Sequence, residues 1–517
     1  MPSDAPTVPG ILRHQARSRA DHPLLVCDGD RISYAEADRR SAELARGLIA
    51  QGGGKGTHVG LLYPNGTEFV VGMLAAARVG AVVIPFSTFA TARELREQLM
   101  DSDAEILLAT ASFRSHDYVQ RLAEVLSHAE PDNDERLFVT ATPQLRHVIV
   151  NPERVYRLAG SVDPALLDAM EDDVDGCDPL AIVYTSGSTS APKGVVHTHA
   201  ALLGHQRNLN AIRGLTTADK LFCNSPFFWI GGFAFGLLAT LVAGSTLVCS
   251  NAGDPGQTLD LLEAEKPTMT NGFAAGIAHL ADHASFAGRD LSSMRRGNLY
   301  PIMDPAARPA DPELRHNMLG MTEAGSVLLI SDDESDQPES RRGSFGKPAP
   351  GFDAMILDPD ASGVGELCIR GPYVMQRYYK RSREECFDTD GWFHTGDLVR
   401  TDADGFFYFV GRLSAMLKTA GANVSAAEVE KAIATVTGGT VAHVVGIPDA
   451  QRGQLVAAVV VMPDGATFDE AALRERLKEE LSSYKIPKRF IALAHNEIPL
   501  LSSGKVDSQR LGRLFDA

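Results

Sequence analysis

Helices and short apolar strands alternate over the first part of the chain, and this alternation constrains the fold more than any other feature. An amphipathic helix after Tyr34 precedes an apolar strand at 59–63, and a helix at 68–79 precedes a strand at 81–85. Strands that alternate with helices are typical of layered α/β domains in which the sheets are largely parallel. The sequence therefore predicts an α/β fold.

The length and a change in texture predict two domains. A chain of 517 residues is longer than one hydrophobic core normally accommodates. Beyond residue 358, short strands with Gly and Asp turns predict a small β-rich subdomain, and beyond Gly411-Arg412 a helix and strand pattern returns. We therefore expect a large, multilayered N-terminal α/β domain at 1–411 that includes this subdomain, and a small C-terminal α/β domain at 412–517.

Charge and cysteine usage exclude several classes of protein. The formal net charge is -17, so a clustered basic surface for nucleic acid is not expected. The six cysteines are dispersed without a pair at metal-site spacing, which is typical of a reducing compartment. The N-terminal sequence has no basic and apolar regions of a signal peptide. These features predict a cytoplasmic protein.

One long segment without charge needs an interpretation of its own. Residues 221–253 contain no charged side chain, and 227–244 approaches the ~18 apolar residues of a membrane-spanning helix. Proline and several glycines interrupt this stretch, and 244–249 has the pattern of a turn into a strand. We expect a buried helix beside an apolar cavity rather than a membrane span.

The stretch from Tyr184 to His199 is rich in hydrogen-bond donors. It lies between an apolar strand and a helical pattern, so it is interpreted as a loop, and it offers a lysine, a glycine and these hydroxyl residues: Thr185, Ser186, Ser188, Thr189 and Ser190. Hydroxyls, exposed backbone and a positive charge suit a polyphosphate. The loop lacks the Gly-Lys-Ser/Thr of a Walker motif. A flexible Ser/Gly-rich linker is the alternative.

This loop resembles the phosphate-binding signature of the adenylate-forming superfamily, which includes acyl-CoA synthetases. The usual pattern is Thr/Ser-Ser-Gly-Ser/Thr-Thr-Gly-x-Pro-Lys-Gly, and Ser190 replaces one glycine. The resemblance implies that the loop binds ATP through the following residues: Thr185, Ser186, Gly187, Ser188, Thr189 and Lys193.

Three further stretches follow in the order that the superfamily has. Asn317 to Glu323 resembles Asn-x-Tyr-Gly-x-Thr-Glu, with Leu319 in place of the tyrosine that stacks on adenine. The resemblance makes Thr322 a phosphate contact and Glu323 the ligand of Mg²⁺, a hard cation that prefers oxygen. Taken alone, a Thr-Glu pair could merely cap a helix. With leucine there, less stacking and weaker nucleotide binding are expected.

The remaining signatures place residues on the ribose and on the reacting groups. The stretch 392–397, followed by Gly411-Arg412, matches the family's ribose and phosphate contacts, Asp397 and Arg412. By the same resemblance, Lys505 in Ser-Ser-Gly-Lys bridges the carboxylate and the α-phosphate. Alone, such Asp, Arg and Lys residues are ordinary turn or surface residues.

The resemblance also describes how the C-terminal domain acts. It implies a mobile lid that rotates about a hinge at Ser414, where the family has Asp or Lys, and a glycine loop at Gly421 that lines the tunnel for CoA. The cofactors and co-substrates implied are Mg²⁺, ATP and CoA.

The acid-binding region is the least determined part. Residues 225–233 align with the family's Pro-x-Phe-His segment, Trp229 replaces the histidine, and the segment contains no acidic residue. An uncharged aromatic wall favours an apolar acyl group, although the same residues could form an aromatic core patch. The candidate acyl-pocket residues are Phe228, Trp229, Gly231 and Gly320.

The sequence thus predicts an AMP-forming acyl-CoA ligase that activates a fatty or other hydrophobic carboxylic acid through acyl-AMP. One alternative is a stand-alone adenylation protein that loads the phosphopantetheine of a carrier protein. Another is a non-catalytic relative that binds nucleotide or acyl groups, which the departures at Ser190, Leu319 and Ser414 suggest. A homodimer is carried as a further hypothesis.

Overall fold

A computed structural model describes eight stretches of the chain, and everything below concerns these residues: 6–127, 130–131, 136–185, 193–272, 277–413, 416–462, 468–499 and 506–516. They divide into two compact units. The larger unit comprises 6–88, 98–185 and 194–411, and the smaller comprises 89–97, Lys193 and 412–516 within the described stretches. One division between the units falls between Gly411 and Arg412. The domain bounds 1–411 and 412–517 stay a prediction. That the units act as an adenylation domain and a lid stays a prediction.

The helices of the described residues are short to medium in length. They are α1 Val8–Ser18, α2 Tyr34–Ala50, α3 Thr67–Arg78, α4 Ala92–Ser102, α5 Tyr118–Val125, α6 Glu153–Ala159, α7 Pro164–Asp173, α8 His199–Arg213, α9 Ile230–Gly232, α10 Ala239–Ala243, α11 Pro255–Glu265, α12 Ala278–Ala281, α13 Ala426–Thr437, α14 Glu470–Glu480 and α15 Ser508–Arg513. A π-helical segment, Phe233–Leu238, joins α9 to α10.

The strands fall into two groups along the chain. Those before residue 300 are β1 Pro23–Cys27, β2 Asp30–Ser33, β3 His58–Leu62, β4 Val82–Pro85, β5 Ile106–Ala109, β6 Ser112–Phe113, β7 His116–Asp117, β8 His147–Ile149, β9 Pro179–Thr185, β10 Lys193–Thr198, β11 Lys220–Cys223, β12 Thr246–Cys249, β13 Met269–Asn271 and β14 Arg296–Gly297. Those after it are β15 Leu319–Met321, β16 Ser326–Ile330, β17 Lys347–Pro348, β18 Asp353–Leu357, β19 Gly365–Arg370, β20 Arg377–Tyr378, β21 Phe393–Thr401, β22 Phe407–Arg412, β23 Met416–Thr419, β24 Ala422–Ser425, β25 Ala442–Asp449, β26 Gly453–Met462 and β27 Arg489–Ala494.

Two large sheets organise the larger unit. Their strand orders are β14-β13-β11-β12-β1-β2 and β20-β10-β9-β4-β3-β5-β8. Within them, β1, β12, β11, β13 and β14 are parallel neighbours, as are β3 with β4, β5 with β3 and β9 with β4. The mainly parallel α/β architecture that the sequence predicts is therefore confirmed.

Local sequence explains why the early helices form and where they face. Ser33 caps α2, since its hydroxyl accepts a hydrogen bond from the backbone N–H of Glu36. Helix α2 then buries one face, including Leu44 and Leu48. All side chains of α3 except that of Glu68 are buried, as expected for a helix between packed layers.

The β-rich subdomain and the smaller unit also follow the predicted pattern. A sheet ordered β18-β19-β21-β22 occupies 353–412, and its pairings from β18 to β21 are antiparallel. In the smaller unit, the sheet β24-β23-β26-β25 is extended by β27, which lies parallel to β26. Apolar side chains of α13, α14 and these strands form its core.

The structure corrects one element of the sequence interpretation. The stretch up to His199 was expected to be a loop, but residues 193–198 form strand β10, which lies between β9 and β20. Val195 and Val196 are buried in it. β-branched residues such as these favour a buried strand. The many hydroxyl residues before Lys193 favoured the interpretation of the whole stretch as a loop.

The uncharged segment is helical and buried, as expected, and the apolar cavity beside it stays a prediction. It forms α9, the π-helical segment and α10, and Gly244, at φ +72°, turns the chain into β12. Apolar side chains of these helices belong to the hydrophobic core of the larger unit. Among the described residues, no helix is both long and apolar enough to cross a membrane.

A buried ion network connects α3 to α2 and α7. The guanidinium of Arg78, at the end of α3, donates to Asp38 Oδ1 at 2.7 Å and to Ser41 Oγ at 3.0 Å, and it also bonds Glu171. Arg78 is 5% exposed and Glu171 is 2% exposed. Burial raises the pKa of Glu171, and Arg78 opposes that rise. Removing the guanidinium would therefore leave a buried carboxylate without its main partner.

We predict that Arg78→Met lowers the free energy of unfolding by about 3–5 kcal/mol, because breaking a buried pair leaves an uncompensated charge. The loss should be smaller at pH 5 than at pH 8, since the pKa of Glu171 rises further and protonation relieves the charge. Urea denaturation followed by circular dichroism measures both values. Arg39→Met is the control, because Arg39 pairs with Glu36 on the exposed face of α2 and should cost under about 1 kcal/mol. Equal losses in the two variants would contradict the role of Arg78.

Candidate active site

Thr322 and Glu323 lie directly after a strand rather than inside a helix. Strand β15 pairs antiparallel with β16, and the chain then forms a single 3₁₀ turn, Thr322–Ala324. Gly325, at φ +67°, ends this turn in the left-handed region that glycine tolerates. The turn therefore carries the hydroxyl of Thr322 and the carboxylate of Glu323 on consecutive residues, in a segment too short to be an ordinary capped helix.

Tyr378 holds the carboxylate of Glu323. Strand β20 pairs antiparallel with β10, with Val195 opposite Tyr378. This register brings the Tyr378 hydroxyl to Glu323 Oε1, to which it donates a hydrogen bond of 2.7 Å. Burial and the charge of Glu323 raise the pKa of Tyr378, so the phenol stays protonated and remains a donor. One carboxylate oxygen is thus fixed, and the carboxylate retains capacity to accept further contacts.

His197 fixes the backbone of the same turn. Its ring Nε2 lies 2.7 Å from the carbonyl oxygen of Thr322, and the side chain is fully buried. Burial lowers the pKa of His197 to about 4, so the ring is neutral near pH 7. Because a carbonyl only accepts, Nε2 carries the proton and donates. His197 is therefore a structural donor on β10 rather than a general base.

Asp397 occupies a buried position on β21. It follows Gly396, whose φ of +72° permits the sharp turn, and its backbone N–H donates to Thr395 Oγ1 at 3.0 Å. Thr395 Oγ1 in turn donates to the carbonyl oxygen of Leu367 at 2.7 Å. Asp397 has no exposed surface. Its strand neighbours β22 in the sheet order, and Arg412 is the last residue of β22.

Glu366 stabilises the turn before Asp397. Its Oε1 accepts from the backbone N–H of Gly396 at 2.9 Å, and its Oε2 lies 3.1 Å from His394 Nδ1. The hydrogen bond with Glu366, together with Asp388, raises the pKa of His394. Glu366, Cys368 and His394 place one ligand atom each within 4.8 Å of the others, a grouping that could hold a metal ion. However, burial raises the pKa of the Cys368 thiol to about 11, so the thiolate that a metal prefers is disfavoured. We interpret the group as support for the turn.

The candidate acyl-pocket residues lie on the segment that leads into α9 and on β15. Phe228 is buried and packs edge-to-face on the half-buried Trp229, with ring centroids 5.6 Å apart. A Cβ placed on Gly231 would meet Ser225 Oγ at 3.8 Å, an ordinary van der Waals contact, so a small side chain would fit at this position without a clash. Gly320 lies on β15 and is exposed.

Several predicted residues border or lie outside the described stretches. Thr185 ends β9 and Lys193 begins β10. The following predicted residues lie outside the described residues: Ser186, Gly187, Ser188, Thr189, Ser414 and Lys505. In the smaller unit, Gly421 lies in the two-residue turn between β23 and β24, where Ala420 and Gly421 have φ of +47° and +84°. Positive φ at both positions is characteristic of a tight hairpin turn.

The donor set fits a hard divalent cation. Glu323 offers a carboxylate beside the hydroxyl of Thr322, and both are oxygen ligands of the kind that Mg²⁺ prefers. The hydrogen bond from Tyr378 holds the carboxylate in one orientation. Support of this kind by a neighbouring group is usual around metal ligands.

Sequence reasoning missed the residues that support the site. Tyr378, His197 and Glu366 contact it through partners 55, 125 and 30 positions away in the sequence. The only available signal was proximity to the signatures, since His197 follows the phosphate-binding loop. The partners themselves depend on which strands pair.

The sequence matches two known family profiles over most of its length. Residues 12–379 match the AMP-binding enzyme family, and residues 428–505 match the AMP-binding enzyme C-terminal domain. The chain therefore belongs to the family of AMP-binding enzymes. Within it the chain is of the acyl-CoA synthetase type, an AMP-forming acid–thiol ligase.

Curated relatives agree with this assignment, and a solved structure shares the fold. The chain is 31% identical to a feruloyl-CoA synthase from an Amycolatopsis species, over 94% of each chain. It is 30% identical to a Mycobacterium tuberculosis CoA ligase for a methyl-dioxo-octahydroindenyl propanoyl group, over 99% of this chain and 100% of that one. In fold it resembles an amide bond synthetase from Marinactinospora thermotolerans, with a TM-score of 0.77, 23% identity and coverage of 98% and 99%.

We predict that Tyr378→Phe lowers kcat/KM for MgATP by roughly 10- to 100-fold, because the carboxylate of Glu323 loses the donor that orients it. Initial rates of pyrophosphate release over a range of MgATP concentrations measure the effect.

Tyr379→Phe is the matched control for that experiment. Tyr379 is the next residue and also donates to a carboxylate, that of Asp103 at 3.0 Å, but Asp103 has no part in the predicted site. This variant should retain activity within about twofold. Equal losses in the two variants would show that the effect comes from general loosening of β20.

Proposed function

We propose that this enzyme activates a carboxylic acid with a largely hydrophobic body and transfers it to CoA. In the first half-reaction, a carboxylate oxygen attacks the α-phosphorus of ATP, the bond to the β-phosphate oxygen breaks, and acyl-AMP and pyrophosphate result. In the second, the thiolate of CoA attacks the acyl carbon, AMP leaves, and a thioester forms. No nucleophile of the protein is required, so positioning and charge neutralisation carry the catalysis.

The observation that carries this proposal is the arrangement around Glu323. A carboxylate and a hydroxyl, Glu323 and Thr322, share one turn, and Tyr378 and His197 hold the side chain and the backbone of that turn in place. Pre-organised oxygen ligands of this type suit MgATP. When bound, Mg²⁺ would neutralise phosphate charge at this turn.

The remaining site residues complete the proposal by their place in the family signatures. We assign the ribose to Asp397 and Arg412, the β- and γ-phosphates to 185–189 and Lys193, and the carboxylate and α-phosphate to Lys505. The small domain would act as the lid, with Ser414 as its hinge and Gly421 on the CoA tunnel. Leu319 joins the apolar cluster of β15 and β16, which supports the expectation of apolar contact with the base and weak stacking.

The nature of the acid rests on the uncharged wall formed by Phe228, Trp229, Gly231 and Gly320. Two of the relatives are named for acyl groups that contain rings, feruloyl and methyl-dioxo-octahydroindenyl propanoyl. Others are named for the small polar acids oxalate and sulfoacetate. The aromatic residues Phe228 and Trp229 favour the larger, ring-containing acids.

We predict that ring-containing and fatty acids release pyrophosphate in the presence of MgATP, and that oxalate, sulfoacetate and amino acids do not. The assay is acid-dependent pyrophosphate release over such a panel, followed by detection of the thioester with CoA or with a set of phosphopantetheinylated carrier proteins. Thioester formation with carrier proteins but not with CoA would show that the acceptor is a carrier protein and would contradict the proposed transfer to CoA. Absence of pyrophosphate release with every acid would favour a binding protein without activity.

We also predict that Lys505→Ala reduces acyl-AMP formation by roughly 10²- to 10³-fold, because one ammonium no longer neutralises the two approaching anions. The same variant should still convert a supplied acyl-AMP and CoA into thioester, since that step needs no contact with ATP. Each half-reaction is measured separately. Equal loss of both would contradict the role given to Lys505.

A further inference from the structure

Arg213 lies beside the proposed acyl pocket but has no place in the reaction described above. It is the last residue of α8, and its guanidinium lies over the ring of Phe235 at 3.9 Å from the centroid. Phe235 is four residues beyond Gly231, one helical turn along the segment that forms the pocket wall. It also belongs to the same apolar cluster as Leu319, the neighbour of Gly320. Because Arg213 packs on Phe235, about one helical turn from Gly231, we place it next to the proposed pocket.

The hydrogen bonds of Arg213 leave its charge uncompensated. One terminal nitrogen donates to Asn210 Oδ1 at 3.1 Å and to the carbonyl oxygen of Phe235 at 3.0 Å, and both acceptors are neutral. Nε is fully buried and has no hydrogen-bond partner among the described residues. Arg213 also forms no ion pair with a carboxylate in the described part of the chain, whereas its neighbour Arg296 pairs with Asp219.

A partly buried cation whose Nε is fully buried is costly. Burial lowers the pKa of Arg213 to about 9, which shows how strongly its surroundings disfavour the charge. The face of Phe235 supplies some attraction to the cation. A neutral carbonyl and an amide oxygen supply part of the rest, but a buried N–H without an acceptor still carries its full desolvation penalty. A ligand oxygen would remove that penalty.

We propose that Arg213 is a specificity-determining residue for the acid. It donates hydrogen bonds to an oxygen at the end of the acyl group farthest from the reacting carboxylate. The substrate class is then an acid with a hydrophobic ring body and a distal acceptor oxygen, either a ketone or a second carboxylate. This inference rests on the proposed function, and it explains why an otherwise uncharged wall contains one cation.

The proposal agrees with the composition of the wall. Phe228, Trp229 and Phe235 would cover the apolar body, and Arg213 would offer charged donors at its far end. A site built to hydrogen-bond a substrate oxygen discriminates strongly against an analogue that lacks it, because its donors are then left unpaired. The two acceptor types differ in charge, so a second carboxylate should bind more tightly than a ketone.

The test uses three acids with one body: 3-cyclohexylpropanoate, 3-(4-oxocyclohexyl)propanoate and 3-(4-carboxycyclohexyl)propanoate. The full-length enzyme should prefer the two acids with a distal oxygen, by roughly 10- to 100-fold in kcat/KM, as expected for hydrogen bonds to a charged donor. Arg213→Met should abolish this preference while activity on 3-cyclohexylpropanoate is retained or increased. Arg213→Lys keeps the charge and should restore part of the preference.

Arg207→Met is the matched control. Arg207 is an exposed arginine six residues earlier on the same helix, and its replacement should leave the preference unchanged. A merely structural role for Arg213 would lower kcat/KM for all three acids equally. That outcome, or a wild-type enzyme that prefers 3-cyclohexylpropanoate, would overturn the proposal.

A binding measurement separates this proposal from the proposed function. Acyl-sulfamoyl adenosines made from the same three acids mimic acyl-AMP and need no turnover, so isothermal titration calorimetry reports their affinities directly. Selective binding of the oxygen-bearing pair that Arg213→Met removes would support the role of Arg213 even if no thioester forms. Thioester formation from all three acids without any such selectivity would support the ligase activity and overturn the role of Arg213.

Discussion

The pairing of strand β10 with β20 supports the predicted nucleotide site of the larger unit. Its pairing with β20 carries Tyr378 to the carboxylate of Glu323, and its residue His197 donates to the carbonyl oxygen of Thr322. Two hydrogen bonds from one strand pair therefore fix the side chain and the backbone of a single turn. Strand β10 begins at Lys193, so the predicted phosphate-binding stretch immediately precedes, in sequence, the strand that supports the turn. A change in the register of β10 by one residue would turn His197 to the opposite face of the sheet and break its contact with Thr322.

Most of the fold could be predicted from the sequence because periodicity and turn residues are local signals. The elements around α2 and α3 lie within one or two residues of the predicted positions, because residues close together in the sequence determine their apolar faces and their ends. Strand β10 was not predicted. The Ser- and Thr-rich stretch before it is typical of a loop, and only Val195 and Val196 favoured a strand. Its partner β20 has only two residues and no pattern of its own. Pairing between them joins positions about 180 residues apart in the sequence, and no local pattern contains that information.

The residues of the candidate site also include some that could be predicted from the sequence and others that could not. Residues within a signature, such as Glu323 and Asp397, were predicted because the chemistry fixes the residue types and their order. Residues that act on them through a hydrogen bond were not, since a tyrosine or a histidine next to a strand is usually a core residue. Arg213 was overlooked for a different reason. A basic residue in the last turn of a helix ordinarily complements the helix dipole in solvent, and only the packing on Phe235 shows that this one lies elsewhere.

The charges of the protein explain why such supports matter. A chain with a net charge of -17 repels anions in general, so ATP and a carboxylic acid must be held by local groups. The buried histidines do not contribute positive charge, because burial lowers the pKa values of His197, His199 and His205 to about 4. Positive charge at the proposed pocket then comes from arginine and lysine, whose pKa values stay well above neutral even when burial lowers them, as it does for Arg213. A fixed cation without a carboxylate partner among the described residues costs stability in the free enzyme, and an acid with a matching oxygen would recover that cost on binding. The unpaired charge of Arg213, which destabilises the free enzyme, would thus favour binding of acids that carry a matching oxygen.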